Sequence, residues 1–169
     1  GRVYMGADKQ GSGGGTKRKL KNPKVFNKGN FIIGYTSSYR MGQILQYVFQ
    51  PPEDTLEDTL RYMVSLFIPE VRKCFKDEGF SWEREGDNGG TFIVGYKGGI
   101  YTIFDDFQVS SPTDNFTAVG SGHRFALGNM YNSRYNSPAD IIKSALQAAS
   151  NFDCYVGSDY EILEGGLNG

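Results

Sequence analysis

Apolar residues change their spacing several times along this chain, and each change marks a new element. Residues 2–7 (RVYMGA) read as a strand, 11–15 (GSGGG) as a loop, and 16–24 as a basic segment through which Pro23 forbids a helix. "KVF" and "FIIGYTSS" flank "NKGN", the signature of a hairpin closed by a tight Asn/Gly turn. From 39 to 50 the period becomes helical: Met41, Ile44, Leu45, Val48 and Phe49 fall on one face, and "PPED" stops the run. A second helix is expected from near Asp54, with Leu56, Leu60, Met63 and Phe67 inward and a kink or break at Pro69.

The second half mirrors the first. "TFIVGYK", a turn at Gly98 and Gly99, "IYTIFD" and "FQVSS" predict a three-strand meander. "TAVGSG" reads as a further strand running into a helix at "HRFALGNMY". In "SPADIIKSALQAAS" Ser137 is the expected N-cap, Pro138 opens the first turn, and Asp140 faces the positive helix end. Its apolar face is Ile142, Ala145, Leu146 and Ala149, and "FDCYVGSDYEIL" closes the chain as a strand or hairpin. The strands FIIGY, FIVGY, TAVG and DCYV are apolar on both sides, so both faces need cover. The expected fold is α+β: a four-layer αββα sandwich of two mostly antiparallel sheets, formed by residues 1–169 as one domain.

Composition sharpens this picture. Acids and bases nearly balance, 19 against 18, which gives no electrostatic footprint for nucleic acid or a membrane surface. No apolar run approaches the ~18 residues of a membrane span, and no targeting segment is read, so the cytoplasm is the expected compartment. Cys74 and Cys154 fit no metal spacing and are expected to be buried free thiols.

The chemistry-bearing stretches are few. "GSGGGTKRK" lacks the register of a phosphate-binding loop, so no nucleotide cofactor is expected. Its lysines and arginine form a solvated face or a subunit contact, apart from Lys24, which precedes the apolar "VF" and is a candidate catalytic amine. "GSGHRFALG" sets Ser121 between two glycines at a strand-to-helix junction, where a hydroxyl caps a turn or serves a site. His123, the sole histidine, has no serine or cysteine partner at a fixed spacing and reads as structural. No Ser-His-Asp pattern or metal-ligand cluster is present.

Taken in order, "GRVYMGAD", Lys24 in "PKVF" sixteen residues after Asp8, "FIIGYTSS", "FIVGY", "AVGSGHRFALG" and "ALQAASNFDCYV" resemble the proteasome β-subunits and HslV-like peptidases. These are N-terminal-nucleophile hydrolases, and the resemblance spans essentially the whole chain. It implies a threonine-type endopeptidase in which a terminal threonine is nucleophile and its α-amine the base. It assigns the catalytic lysine to Lys24, its aspartate partner to Asp8 and the serine near the amine to Ser121. A further aspartate falls on either Asn151 or Asp153. The backbone N–H of Ser37 becomes the oxyanion donor, where relatives usually carry glycine. Ser12, Asn22, Phe26 and Tyr35 become substrate-binding positions. A monovalent or divalent cation near Ser150, Asp153 and Val156 is a further implication. So are peptide or unfolded-protein substrates, a homo-oligomeric ring and an ATPase unfoldase.

The nucleophile itself is expected upstream of Gly1, on a strand pairing with "RVYMGA", so residues 1–169 alone are expected to be inactive. Two rivals stand beside this reading. One is a non-catalytic scaffold or assembly protein of the same fold, and the other an N-terminal-nucleophile amidase acting on small amides.

Overall fold

A computed structural model describes residues 1–80 and 90–167. The strands are β1 (Val3–Asp8), β2 (Gln10–Gly13), β3 (Thr16–Lys19), β4 (Val25–Lys28), β5 (Phe31–Tyr35), β6 (Phe92–Tyr96), β7 (Gly99–Ile103), β8 (Val109–Ser110) and β9 (Tyr160–Gly165). All their pairings are antiparallel. Strands β4-β5-β6-β7-β8 form one sheet in sequence order, β1 pairs with β9 in a two-stranded ribbon, and β2 pairs with β3.

The helices are α1 (Tyr39–Gln43), α2 (Thr59–Tyr62), α3 (Ile68–Asp77), α4 (His123–Ser133) and α5 (Pro138–Phe152). Helix α1 continues into a π-helical segment, Ile44–Val48, and a second such segment, Met63–Phe67, joins α2 to α3. Among the described residues no helix is long and apolar enough to cross a membrane.

The doubly apolar strands explain how these pieces stack. Every residue of β5 and β6 is buried. One face of the sheet carries Phe31, Phe92 and Tyr96 against Met41, Phe67, Val71 and Phe75 of the first helical group, with Phe31 stacked on Tyr96 at 4.1 Å. The other face carries Val25, Ile32 and Ile93 against Val3 and Met5 of β1. Helix α5 lies on the far side of β1 and packs on α4 through Ala126, Met130 and Ala145. Gly6 permits that approach, since a Cβ there would sit 2.5 Å from the Ile142 side chain.

Several expectations shift in detail. GSGGG is not a loop: its residues belong to the β2–β3 hairpin, and Gly14 and Gly15 supply the two positive φ values that a tight hairpin turn needs. The meander turns on Lys97 and Gly98, both at positive φ, and Gly99 already belongs to β7. Residues 116–119 join no ladder, although the Thr117 and Thr102 hydroxyls bond at 3.2 Å. "FDCYV" is a turn, because Asp153 Oδ1 captures the Tyr155 N–H at 2.7 Å and its carbonyl captures that of Val156. Cys154 is exposed and Cys74 half-buried, both free.

The π-helical segments account for the misplaced apolar faces. Each adds a residue to one turn, so the inward set slips: Tyr62, Met63, Phe67 and Ile68 are buried while Leu60 points out, and Phe49 is buried while Val48 points out. The second segment also absorbs Pro69, which sits inside a continuous helical run rather than breaking it.

Asp54 anchors the loop between the first π-helical segment and α2. Its Oδ2 accepts from Tyr96 Oη at 2.9 Å and Lys97 Nζ at 2.6 Å, and its Oδ1 from the Leu56 N–H at 3.0 Å. Burial alone raises the Asp54 carboxyl, but the bonds from Lys97, Leu56 and Tyr96 outweigh it and hold it below the ordinary value of 3.8. A lowered folded value stabilises above pH 3.8 and is lost as pH falls through it. Asp54→Ala is therefore expected to cost about 2 kcal/mol at neutral pH. The gap from the parent should narrow in urea titrations below that pH.

Candidate active site

The groove that follows from this stacking runs along β1. It holds about 790 Å³ and is walled by β1, the sheet at Ile93 and Ile100, the 116–121 segment and helix α5. Among the described residues β1 has one strand partner, β9, so its other edge faces this groove without a ladder.

Polar side chains gather at the end of the groove where β1 stops. Asp8 terminates β1, and Lys24 lies immediately before β4, held there by the Tyr35 N–H bond to its carbonyl at 2.9 Å. Lys24 Nζ donates to Asp8 Oδ1 at 2.8 Å, with the side chains only 15 % and 13 % exposed. The second oxygen, Oδ2, accepts the backbone N–H groups of Gln10 at 3.1 Å and Gly157 at 2.9 Å. Tyr39 flanks the pair, its ring 5.9 Å from Lys24 Nζ. Burial, and secondarily the Asp8 carboxylate, raise the Tyr39 hydroxyl, which keeps its proton at neutral pH.

Ser121 and Asp153 form the second polar pair, with the serine hydroxyl donating to Asp153 Oδ1 at 3.2 Å. Asn151 is exposed on the last turn of α5, so the residue that meets Ser121 is Asp153. His123 Nδ1 lies 2.7 Å from the Gly120 carbonyl and shapes the turn that presents Ser121, in keeping with a structural histidine.

Ser37 is the strained residue of the site. Its φ is 74°, and the Ser38 N–H bonds back to the Thr36 carbonyl at 2.9 Å, closing a three-residue γ-turn. The turn is held from both sides, by the Thr36 N–H on the Thr91 carbonyl and by the Ser38 side chain capping α1. The Ser37 N–H has no protein partner among the described residues and borders the groove. Because φ is positive, Ser37→Gly should raise stability by about 1 kcal/mol. Chemical denaturation measures this directly.

The expected substrate-binding positions divide. Ser12 and Tyr35 border the groove, whereas Asn22 lines a separate basic hollow with Lys9, Lys19 and Lys21. Phe26 is 4 % exposed and belongs to the hydrophobic core, so it is set apart from the groove.

The expected cation loop is occupied by its own bonds. The Ser150 hydroxyl donates to the Gln147 carbonyl, the Asp153 carbonyl accepts from Val156, and the Asp153 carboxylate holds Ser121 and Tyr155. Among the described residues no group of three or more His, Cys, Asp or Glu is arranged for a metal.

Sequence reasoning passed over Gly157 and the backbone of Gln10, both of which hold Asp8. A backbone donor contributed from 149 residues away leaves no side-chain signal in one sequence.

No protein-family model matches the chain, and none of the curated proteins does. Solved structures do match. BPH from Thiobacillus denitrificans superposes with a TM-score of 0.81 at 22 % identity, covering 99 % of this chain and 94 % of its own. HslV from Trypanosoma brucei gives 0.67 at 16 %, covering 96 % and 92 %. Anbu, an ancestral β-subunit from Yersinia bercovieri, gives 0.64 at 10 %, covering 96 % and 76 %. These likenesses show the fold, that of the proteasome β-subunits and N-terminal-nucleophile hydrolases.

Proposed function

We propose that this chain forms the body of a proteasome-like, threonine-type endopeptidase subunit, built as an αββα sandwich, whose nucleophile is carried N-terminal to Gly1 along the free edge of β1. The observation that carries this reading is the Asp8–Lys24 pair, largely buried at the end of a groove whose long wall is an unladdered strand edge. A strand laid antiparallel on β1 and leading into Gly1 begins beside Asp8, where its N-terminal residue meets Lys24.

The chemistry follows from that placement. An α-amine titrates near 8, so at neutral pH it takes the proton of a neighbouring threonine hydroxyl without a histidine. The Lys24 cation, held by Asp8, favours the alkoxide character that develops on the hydroxyl oxygen. The Ser121 hydroxyl, oriented by Asp153, bonds the amine. The hydroxyl oxygen attacks the peptide carbonyl, and the oxyanion accepts from the Ser37 N–H. Collapse expels the leaving amine with the proton the α-amine had taken. Water, deprotonated in the same way, then cleaves the ester and restores the threonine. An extended peptide lies beside Ser12 on the β2–β3 hairpin.

BPH has been solved in complex with epoxomicin, and that compound serves as a probe here. Assembly into a homo-oligomeric ring, delivery of unfolded chains by an ATPase and action in the cytoplasm belong to the same proposal.

The test uses the natural protein with its own N-terminus. Hydrolysis of fluorogenic peptides, lost on replacing the terminal threonine, together with a mass increase on epoxomicin treatment, supports the reading. An intact mass showing that the natural protein begins at Gly1 overturns it. A ring without hydrolysis points instead to the scaffold.

A further inference from the structure

The two oxygens of Asp8 do different work. Oδ1 receives Lys24, whereas Oδ2 is occupied by two backbone N–H groups, from Gln10 and from Gly157. Gln10 is local to β1 and follows Asp8 wherever it goes. Gly157 is not: it belongs to the 153–159 loop, which leaves the end of α5 and returns as β9. That loop also contains Asp153, whose carboxylate orients Ser121. It is folded onto itself by the Tyr155 and Val156 N–H bonds to Asp153, and it is joined to β2 by the Gln10 side chain on the Cys154 carbonyl at 3.1 Å. One short loop thus touches both polar pairs of the groove.

We propose that Gly157 is a positioning residue, its N–H fixing the Asp8 carboxylate so that Oδ1 is presented to Lys24. Any residue but proline would supply the N–H, and glycine is required by space: a Cβ at 157 would lie 2.9 Å from the Gln10 Cβ. That neighbour does not yield easily, because Gln10 Cβ is fixed to the β2 backbone. Alanine at 157 therefore pushes the loop off Asp8 and leaves the carboxylate with Gln10 alone. The carboxylate then turns, and Lys24 loses its fixed partner. Displacements of about 1 Å at such a pair cost up to a hundredfold in rate.

This inference rests on the peptidase reading for its catalytic consequence but not for its physical content, and the two are tested separately. In the full-length protein, hydrogen exchange should find the Gly157 amide protected, and Asp8→Ala should accelerate its exchange tenfold or more. Asp8→Asn, which keeps an acceptor oxygen, should retain most of the protection and stands in should the alanine variant not fold. Unchanged exchange in Asp8→Ala overturns the proposal whether or not the protein cleaves peptides.

In the catalytic arm, Gly157→Ala should lower kcat about tenfold or more with KM within about twofold. Ser158→Ala, at an exposed neighbour in the same loop, should change neither. Added to Asp8→Ala, Gly157→Ala should cost nothing further, because both remove one device. Losses that multiply, or a Gly157→Ala enzyme with parental kcat, show that Gly157 does not act through Asp8.

Discussion

Lys24→Ala should lower kcat/KM for peptide hydrolysis by about a thousandfold in the full-length protein, among the largest effects of any single replacement. In the proposed mechanism the lysine sits where a developing alkoxide needs a fixed positive charge, and its position is over-determined. Its carbonyl is tied to Tyr35, its ammonium to Asp8, and its head lies near the Tyr39 ring. Preorganisation of this kind cannot be recovered from solvent, because both side chains are more than four-fifths buried.

The same burial predicts a loss of stability of about 2–4 kcal/mol, since removing one member of a buried ion pair strands the other. Lys24→Met separates the two effects. It keeps the aliphatic stem against Tyr39, and paired with Asp8→Asn it should regain most of the stability while hydrolysis stays absent. Recovery of activity in that double variant would mean that the charge has no catalytic part.

Of this pair, the apolar pattern reached only the placement of each member, Asp8 at the end of "RVYMGA" and Lys24 just before "VF", and that the two meet was implied by the resemblance. β4 and β5 were legible locally, from "VF" and "FIIGY" around a tight turn, but β1 belongs to a separate ladder, so nothing in that pattern aims Lys24 at Asp8. The helices α4 and α5 were legible for a similar local reason, with Ser137 capping as its sequence demands. What the pattern could not carry were features set by long-range accommodation. The π-helical segments that turn Leu60 and Val48 outward have no sequence marker, since apolar spacing fits an ordinary helix nearly as well. The 116–119 stretch is as apolar as a strand, yet it lies along a groove wall instead of joining a ladder. Phe26 alternates correctly for a site position but falls on the sheet face that meets the first helices, a choice decided only by which layer covers which side. Ser37, by contrast, gives no sign in the sequence that its backbone takes φ 74°, a conformation that favours glycine.

Gly42→Ala should be the most destabilising replacement of a single hydrogen by a methyl in the described chain, at about 3 kcal/mol or more. In an exposed helix alanine would gain about 1 kcal/mol over glycine. Here α1 crosses β5 so closely that the added Cβ would fall inside the Tyr35 ring. Tyr35 is 6 % exposed and cannot swing into solvent without emptying its place among Met41, Phe92 and their neighbours. Either α1 lifts from the sheet or the ring moves toward the groove it borders. The ring also stands edge-on to Tyr39 at 5.9 Å, and Tyr39 stands beside Lys24, so displacement reaches the Asp8–Lys24 pair through two aromatic contacts. The expected signature is therefore double: a lowered urea midpoint and a fall in kcat, although Gly42 is buried beneath the groove and touches no substrate. Tyr35→Leu should relieve the clash, so that the two replacements together cost less than the sum of each alone. Strict additivity in that cycle would place the damage in the helix itself rather than in the Tyr35 contact.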